Sequence, residues 1–369
     1  MLIFKYLTKE VLSALLAITF VLMLIFMSTQ FVHYLGDAAF GGRYSAAIVF
    51  HIMILQIPYL LGLLLPLGFY LAILVAYGRL HADREMLVLH SCGFSDGKLL
   101  SNTLIMALVI AAIVAILTCG IAPYVAKAQE ELVTKAQSEP LIETIMPGRF
   151  YSLNDGRDVF YTEAVSRDHR VIKNIFIATQ NKADQQTDPN NWSVISAKQA
   201  YQVLGKKHLL IAQDGNRYQG IPGAKEFQSQ HFEKLSWLIA GKNVNINNSP
   251  AFLPFSTLLK EGRKNPQNVA ELQWRLSLPL SVILLTLLAL PLCKVNPRQG
   301  KFAQFLPAVL IYIFYANMMF VGRSWIESGT LPPAIGLWWL HGCLLLVAVG
   351  ITFFRSRWST LVWKKIFKG

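Results

Sequence analysis

The sequence predicts a membrane α-helical protein of six transmembrane helices with one all-β domain inserted outside the cytoplasm. Three observations carry this. Six apolar blocks are long enough to span a bilayer. A polar stretch between the third and fourth blocks alternates like β-strands. Lys and Arg crowd the short loops on one side of the blocks.

A transmembrane helix needs about 20 mostly apolar residues. The blocks are residues 11–32, 46–76, 102–123, 276–292, 303–325 and 334–354, in a chain of mean hydropathy +0.42. Lys5 and Lys9 precede the first block as in a signal peptide. The run exceeds a typical apolar core of such a peptide, however, and no small-x-small site follows it, so it reads as a retained helix. The second block would reach about 46 Å at the helical rise, which predicts tilt or kinking at Pro58 and Pro66. Pro279 and Pro307 sit near the starts of the fourth and fifth helices, where a missing N–H costs less.

Between Met146 and Glu233 the signal changes. Segments 149–153, 158–165, 171–179, 192–197, 200–204 and 208–213 are rich in β-branched and aromatic residues. Asn154-Asp155-Gly156, Arg167-Asp168, Asp188-Pro189-Asn190, Gly205-Lys206 and Asp214-Gly215-Asn216 punctuate them as turns. Short strands at this spacing predict an antiparallel sandwich, jellyroll or open barrel. Residues 126–137 read as a helix continuing the third span, and 255–263 and 269–274 as helices leading into the fourth. The expected division is 1–125, with three spans and a short helix near 83–93; 126–270, the β-domain with flanking helices; and 271–369, three spans and a basic tail.

Orientation follows the basic loops. Lys5, Lys9, Arg79, Arg84, Lys98, Lys294, Arg298, Lys301, Arg355, Arg357, Lys364, Lys365 and Lys368 fall on one side, against Arg43 and Arg323 on the other. Both termini are therefore expected in the cytoplasm. The net charge of +13 is mostly this asymmetry, because residues 125–270 hold 18 Lys/Arg against 14 Asp/Glu. No nucleic-acid partner is expected. Such basicity suits anionic lipid headgroups.

Cys92, Cys119, Cys293 and Cys343 lie in or beside spans without a CxxC pair, so they indicate neither disulfides nor zinc. His169, His208 and His231 are scattered and read as surface histidines. Asn191 and Asn247 head chance glycosylation triplets. Gly93-Phe94-Ser95-Asp96-Gly97-Lys98-Leu99 falls one spacer residue short of a phosphate loop and has Leu99 in place of Ser or Thr. No cofactor, metal or catalytic set is expected in this chain. ATP and magnesium would belong to a separate ATPase.

The loop after the second span is the most informative short stretch. Asp83 suits an N-cap, Glu85 the positive end of a helix dipole, and Gly93 the C′ position. Met86, Leu87 and Leu89 give an apolar face. This predicts an amphipathic helix that lies on the membrane or docks into a groove on a cytoplasmic ATPase. Polar residues in the spans are few. Gln30, His33, Gln56, Asn317 and Arg323 are expected to face a neighbouring helix or a cavity. Polar and basic groups of the first and fifth helices (Gln30, His33, Asn317 and Arg323) are candidates to meet an anionic amphiphile.

Glu85, His90, Cys92 and Gly93, the run Glu271-Leu272-Gln273-Trp274-Arg275, and Val295-Asn296-Pro297-Arg298-Gln299-Gly300 together resemble the LptF/LptG family of lipopolysaccharide-export permeases, on the F-type side. The resemblance covers essentially the whole chain. It implies a permease that pairs with a G-type (LptG-type) paralogue across an outward-opening cavity. A dimer of LptB-type cytoplasmic ATPases would drive the pair, and a single-span LptC-type subunit would regulate it. Lipopolysaccharide would be taken from the outer leaflet of the bacterial inner membrane to an LptA-type bridge of periplasmic jellyrolls, which the β-domain would join. By the same resemblance, Asp83, Arg84, Glu85, Met86 and Leu87 form the ATPase-coupling stretch. Asn296, Pro297, Arg298, Gln299 and Gly300 form the family loop, and Arg323 is a basic position at the outer end of the fifth helix. Family members often carry a Lys near the outer end of the first helix. Here that stretch reads Ser28-Thr29-Gln30-Phe31-Val32-His33, so either His33 or Arg43 replaces the Lys or the contact is absent.

Two other readings fit less well. Lipoprotein-releasing permeases usually have four spans, with the large domain after the first. A non-transporting envelope scaffold would not need a coupling helix.

Overall fold

A computed structural model describes residues 2–41, 46–138, 147–153, 158–166, 171–180, 192–203, 209–223, 227–238, 249–261, 265–294 and 305–355. The chain divides into two compact units, residues 1–28, 55–128 and 246–369, and residues 29–54 and 129–245.

Five helices among the described residues are long and apolar enough to cross a membrane. Helix α1 covers Leu2–Gly41 and α2 covers Ala46–Ala82. Helix α3 is Glu85–Ser91. Helix α4, Asp96–Ala115, passes through a π-helical turn at Ile116–Ile121 into α5, Ala122–Ser138. After a 3₁₀ turn at Pro250–Phe252 come α6 at Phe255–Glu261, α7 at Pro266–Leu292 and α8 at Phe305–Glu327. A sixth apolar helix, α9 at Trp338–Arg355, is shorter.

The helices outrun the apolar blocks. Forty residues make α1 about 60 Å long, twice the hydrocarbon thickness. Hydropathy marks only the part that suits lipid, whereas polar flanks such as Lys5–Glu10 and residues 126–138 continue the same backbone hydrogen bonding. Pro58 and Pro66 both lie inside an unbroken α2. The block at 334–354 is an opposite case, because its helix starts only at Trp338. Pro332, Pro333 and Gly336, at φ +47°, keep residues 328–337 in turns before α9.

Within the helical unit α7 is central, packing on α4, α8 and α9. Its buried Leu278, Val282, Leu285 and Leu288 join Tyr70 and Tyr77 of α2 and Val114 of α4 in one apolar core. Two buried tyrosines find polar partners. Tyr70 Oη donates to the Ala308 carbonyl at 3.1 Å, and Tyr77 Oη lies 2.9 Å from Thr103 Oγ1.

The second unit is built on one antiparallel sheet of six strands in the order β1 to β6, each paired with its sequence neighbours. The strands are β1 Phe150–Leu153, β2 Asp158–Val165, β3 Val171–Gln180, β4 Trp192–Val203, β5 Leu209–Gly220 and β6 Phe227–Leu238. The inserted domain is thus all-β, with its strands in meander order. In the same unit Gln129 Nε2 donates to Tyr34 Oη at 3.0 Å.

Three expectations are corrected here. Segments 192–197 and 200–203 are a single strand, β4, while residue 204 lies outside the described residues. Asp214-Gly215-Asn216 is no turn but lies inside β5. Strand β6 carries no strong alternation and was not expected. One feature explains the first two. Glu163, Asn174, Lys198, Asp214 and Glu233 occupy one transverse row of β2 to β6 and are all exposed, while the pairing on either side keeps the same register. Inward positions are three apart across this row, as with Ile172 and Ile175, instead of two. Each of β2 to β6 therefore carries one extra outward residue at the same level, in the manner of a bulge. Asn174 and Asp214 take it up at φ +48° and +51°, a region that suits Asn and Asp. Asn174 Nδ2 donates to Glu163 Oε2 at 2.6 Å and Lys198 Nζ to Asp214 Oδ2 at 2.7 Å. The latter bond holds the Asp214 carboxyl below the usual carboxylate range. His231 bonds Asn216 at 3.0 Å on the exposed side. His169 and His208 lie outside the described residues.

Candidate functional site

Two polar assemblies stand out in the helical unit. The first surrounds α3. A two-residue turn, Asp83-Arg84, separates α2 from α3. The N-cap is Arg84, not Asp83: Arg84 adopts φ +62° and no side chain caps the helix. Asp83 instead donates its amide to the Arg79 carbonyl at 2.9 Å and closes α2. With so short a connection the first helix's end takes the residue that sequence alone would give to the second helix's start.

At the other end Gly93 sits at φ +81°, with its amide on the His90 carbonyl at 3.0 Å and the Phe94 amide on Leu89 at 3.1 Å. This is a Schellman closure, with Phe94 buried beneath it. Met86 (1% exposed) anchors α3 to the core, whereas Leu87 (65%) and Val88 (62%) point outward. Glu85 accepts a 2.6 Å hydrogen bond from Tyr6 Oη of α1. Asp96, the first residue of α4, takes Lys294 Nζ at 2.8 Å and His90 Nε2 at 3.0 Å on separate oxygens. Lys294 stands two residues before the family loop, whose residues Asn296, Pro297, Arg298, Gln299 and Gly300 lie outside the described residues. Tyr6 and Asp96 went unnoticed in the sequence because their partners are about 80 and 200 positions away.

The second assembly occupies the first turns of α7. Arg275 is 2% exposed. Its Nε donates to Glu271 Oε1 at 2.7 Å. Its terminal nitrogens reach the carbonyls of Leu253 at 2.9 Å, Ala251 at 2.9 Å and Pro250 at 3.3 Å. The other oxygen of Glu271 accepts from Arg323 Nη2 at 2.8 Å, and Arg323 Nε donates to Glu327 Oε1 at 2.8 Å. The Arg323 guanidinium also lies 5.2 Å from the Trp274 ring centre, within cation–π range. Two cations and two carboxylates balance. Sequence spacing gave one clue, since Glu271 and Arg275 are four apart and share a helix face. The link to Arg323 carried no such signal.

Gln273 binds the turn before α9 from both ends of its amide, donating to the Pro333 carbonyl at 2.7 Å and accepting from the Leu337 amide at 2.9 Å. A Cβ on Gly336 would collide with that amide. Deeper in the helices, buried His341 bridges Ser277 Oγ at 2.8 Å and Tyr315 Oη at 2.9 Å. The row resembles a nucleophile set only by composition. All three side chains are buried, and the row joins α7, α8 and α9 as interhelical hydrogen bonding does in membranes.

Of the cavity candidates, Arg323 enters this assembly. Asn317 is exposed and donates to the Ile313 carbonyl of its own helix at 2.8 Å. Gln30 is half-buried and His33 exposed on α1, in the other compact unit. Among the described residues no group of three or more His, Cys, Asp or Glu is placed to hold a metal.

Residues 5–355 match the family model described as lipopolysaccharide export system permease LptF/LptG. The chain belongs to the LptF/LptG family. The lipopolysaccharide export system permease protein LptF of Escherichia coli K12 is 28% identical over 364 residues, covering 98% of this chain and 96% of that protein. LptF of Shigella flexneri matches to the same extent. As an LptF/LptG-family chain with several spanning helices, this is a multi-pass inner-membrane transport subunit.

Proposed function

We propose that this chain is the F-type permease half of the lipopolysaccharide exporter. It pairs with an LptG-type paralogue, is driven by an LptB-type ATPase dimer and is regulated by a single-span LptC-type subunit. Lipopolysaccharide leaves the inner membrane through the pair and passes to an LptA-type periplasmic bridge, which the six-stranded sheet joins. Both termini, α3 and the loop at 295–300 face the cytoplasm, and the sheet faces the periplasm, as the distribution of Lys and Arg requires. ATP and magnesium are bound by the ATPase alone.

The observation that carries this reading is the family match over nearly the whole chain, joined to the build of α3. A surface coupling element must be rigid on one side and adhesive on the other. Met86, the Schellman closure and the Asp96 bonds hold α3 from beneath, while Leu87 and Val88 offer apolar contact beside the acid Glu85. At the far end of the helices Arg323 is the proposed contact for a lipid phosphate. Co-purification tests the coupling role. Glu85→Arg should reduce the ATPase recovered with the membrane complex at least tenfold, with the permease pair intact. Full recovery would contradict it.

A further inference from the structure

We infer that Glu271 and Arg275 form a relay that links occupancy of Arg323 by a phosphate-bearing lipid to the segment leading out of the β-domain. This rests on the proposed role of Arg323. Neither relay residue touches the lipid; both are positioning residues.

Arg275 is closed to any ligand. Its guanidinium is buried, and its donors go to Glu271 and to the carbonyls of Pro250, Ala251 and Leu253. Those carbonyls belong to the 3₁₀ turn and to Leu253, the residue that caps it, in the stretch that follows the sheet in sequence and precedes α6. Arg275 is therefore the clamp of the connector. Its own backbone carbonyl lies 3.4 Å from Thr118 Oγ1 in the π-helical turn, so the clamp also rests against an irregular part of the third long helix.

Glu271 is the element shared by clamp and lipid contact. Each of its oxygens serves a different arginine. Arg323 is the member open to solvent, with 27% of its side chain exposed, and Glu327 beside it is more open still at 40%. An anion reaching Arg323 from that side competes with both carboxylates for one guanidinium. Once Arg323 turns to a phosphate, Glu271 keeps a single partner and its carboxylate is free to rotate. The charge that steadies Arg275 is then held less firmly, and the connector loosens. A bidentate Arg–phosphate contact is geometrically as favourable as Arg–carboxylate, so the exchange is chemically matched.

Hydrogen exchange at residues 252–258, measured on the full reconstituted transporter in nanodiscs, tests this. In the wild-type complex, added lipopolysaccharide should raise exchange about fivefold, the lower end of ordinary coupling between sites. In phosphatidylcholine nanodiscs without lipopolysaccharide, Arg323→Gln, altered at the open end of the relay, should already show that raised exchange and should not respond to added lipopolysaccharide. Glu271→Gln and Arg275→Lys should also lose the response while still binding lipopolysaccharide. Nanodiscs of phosphatidylglycerol against phosphatidylcholine identify the phosphate source. A response to lipopolysaccharide or to phosphatidylglycerol supports the relay; absence of response to both overturns it. It is also overturned if, in phosphatidylcholine nanodiscs without lipopolysaccharide, Arg323→Gln matches wild type, or if Glu271→Gln responds to lipopolysaccharide as wild type does. Should Glu271→Gln fail to assemble, the Arg323→Gln comparison decides alone. Undiminished lipopolysaccharide binding by Arg323→Gln would contradict the lipid-contact reading instead, separately from the relay.

Discussion

Glu271 holds two arginines, and Gln273, two residues further on, holds a loop, so the first turns of α7 fix several chain segments at once. A buried charge or amide in such a position is tolerable only because every polar atom finds a partner. Gly336 shows how closely the loop approaches. It sits at φ +47° with the Gln273 amide where a Cβ would lie. Gly336→Ala should therefore destabilise the protein by about 1–3 kcal/mol through overpacking. The Tm of the detergent-solubilised chain would report it, and a concurrent Gln273→Ala, by opening space, should recover part of the loss. An unchanged Tm for Gly336→Ala would mean the loop is not held as described.

Elements show where sequence is readable and where it is not. Apolar blocks announced the spanning helices because lipid rewards continuous apolar length. Their true ends were hidden, because hydrogen bonding carries a helix on into polar flanks. The Gly93 closure of α3 was legible, since a positive φ next to a helix end selects Gly. Its N-cap was not, because α2 ends two residues earlier and competes for Asp83. In the sheet, local turn chemistry misled. Asn and Asp favour φ > 0 in turns, but Asn174 and Asp214 use it for a transverse row of extra residues inside strands. Asn174→Ile and Asp214→Ile should each cost about 1–2 kcal/mol, the ordinary penalty for a β-branched residue in that region. Asn174→Gly should cost less than Asn174→Ile. Thermal unfolding followed at the sheet checks this, and equal stability of the Ile and Gly variants would contradict it.

At the scale of the α3 turn, Gly93→Val forces a β-branched residue to φ +81° and breaks the Schellman closure. The expected result is loss of ATPase co-purification comparable to Glu85→Arg, with little change in permease abundance. If Gly93→Val retains the ATPase fully, rigidity of α3 is not what docking requires.

For the whole molecule, the sequence pattern foretold apolar spanning helices with an inserted all-β domain. It could not foretell the long-range pairs that make the chain work as one object: Tyr6 with Glu85, Asp96 with Lys294, and Glu271 with Arg323. Such pairs leave no periodic trace. They depend on which helices become neighbours, and that is set by packing around α7. The helical unit carries two polar assemblies, one around α3 with Leu87 and Val88 exposed and a charge-balanced one on α7 and α8, and the proposed function assigns them to docking and lipid contact. The central claim is that this chain moves lipopolysaccharide as half of an ATP-driven pair. The most direct measurement is ATP-dependent transfer of lipopolysaccharide from proteoliposomes to an LptA-type acceptor. The vesicles would carry this chain with its G-type paralogue, ATPase and single-span subunit. The account predicts transfer that requires this chain and falls at least tenfold with Glu85→Arg. Transfer of equal extent without the chain, or undiminished by that substitution in a fully assembled complex, would contradict it.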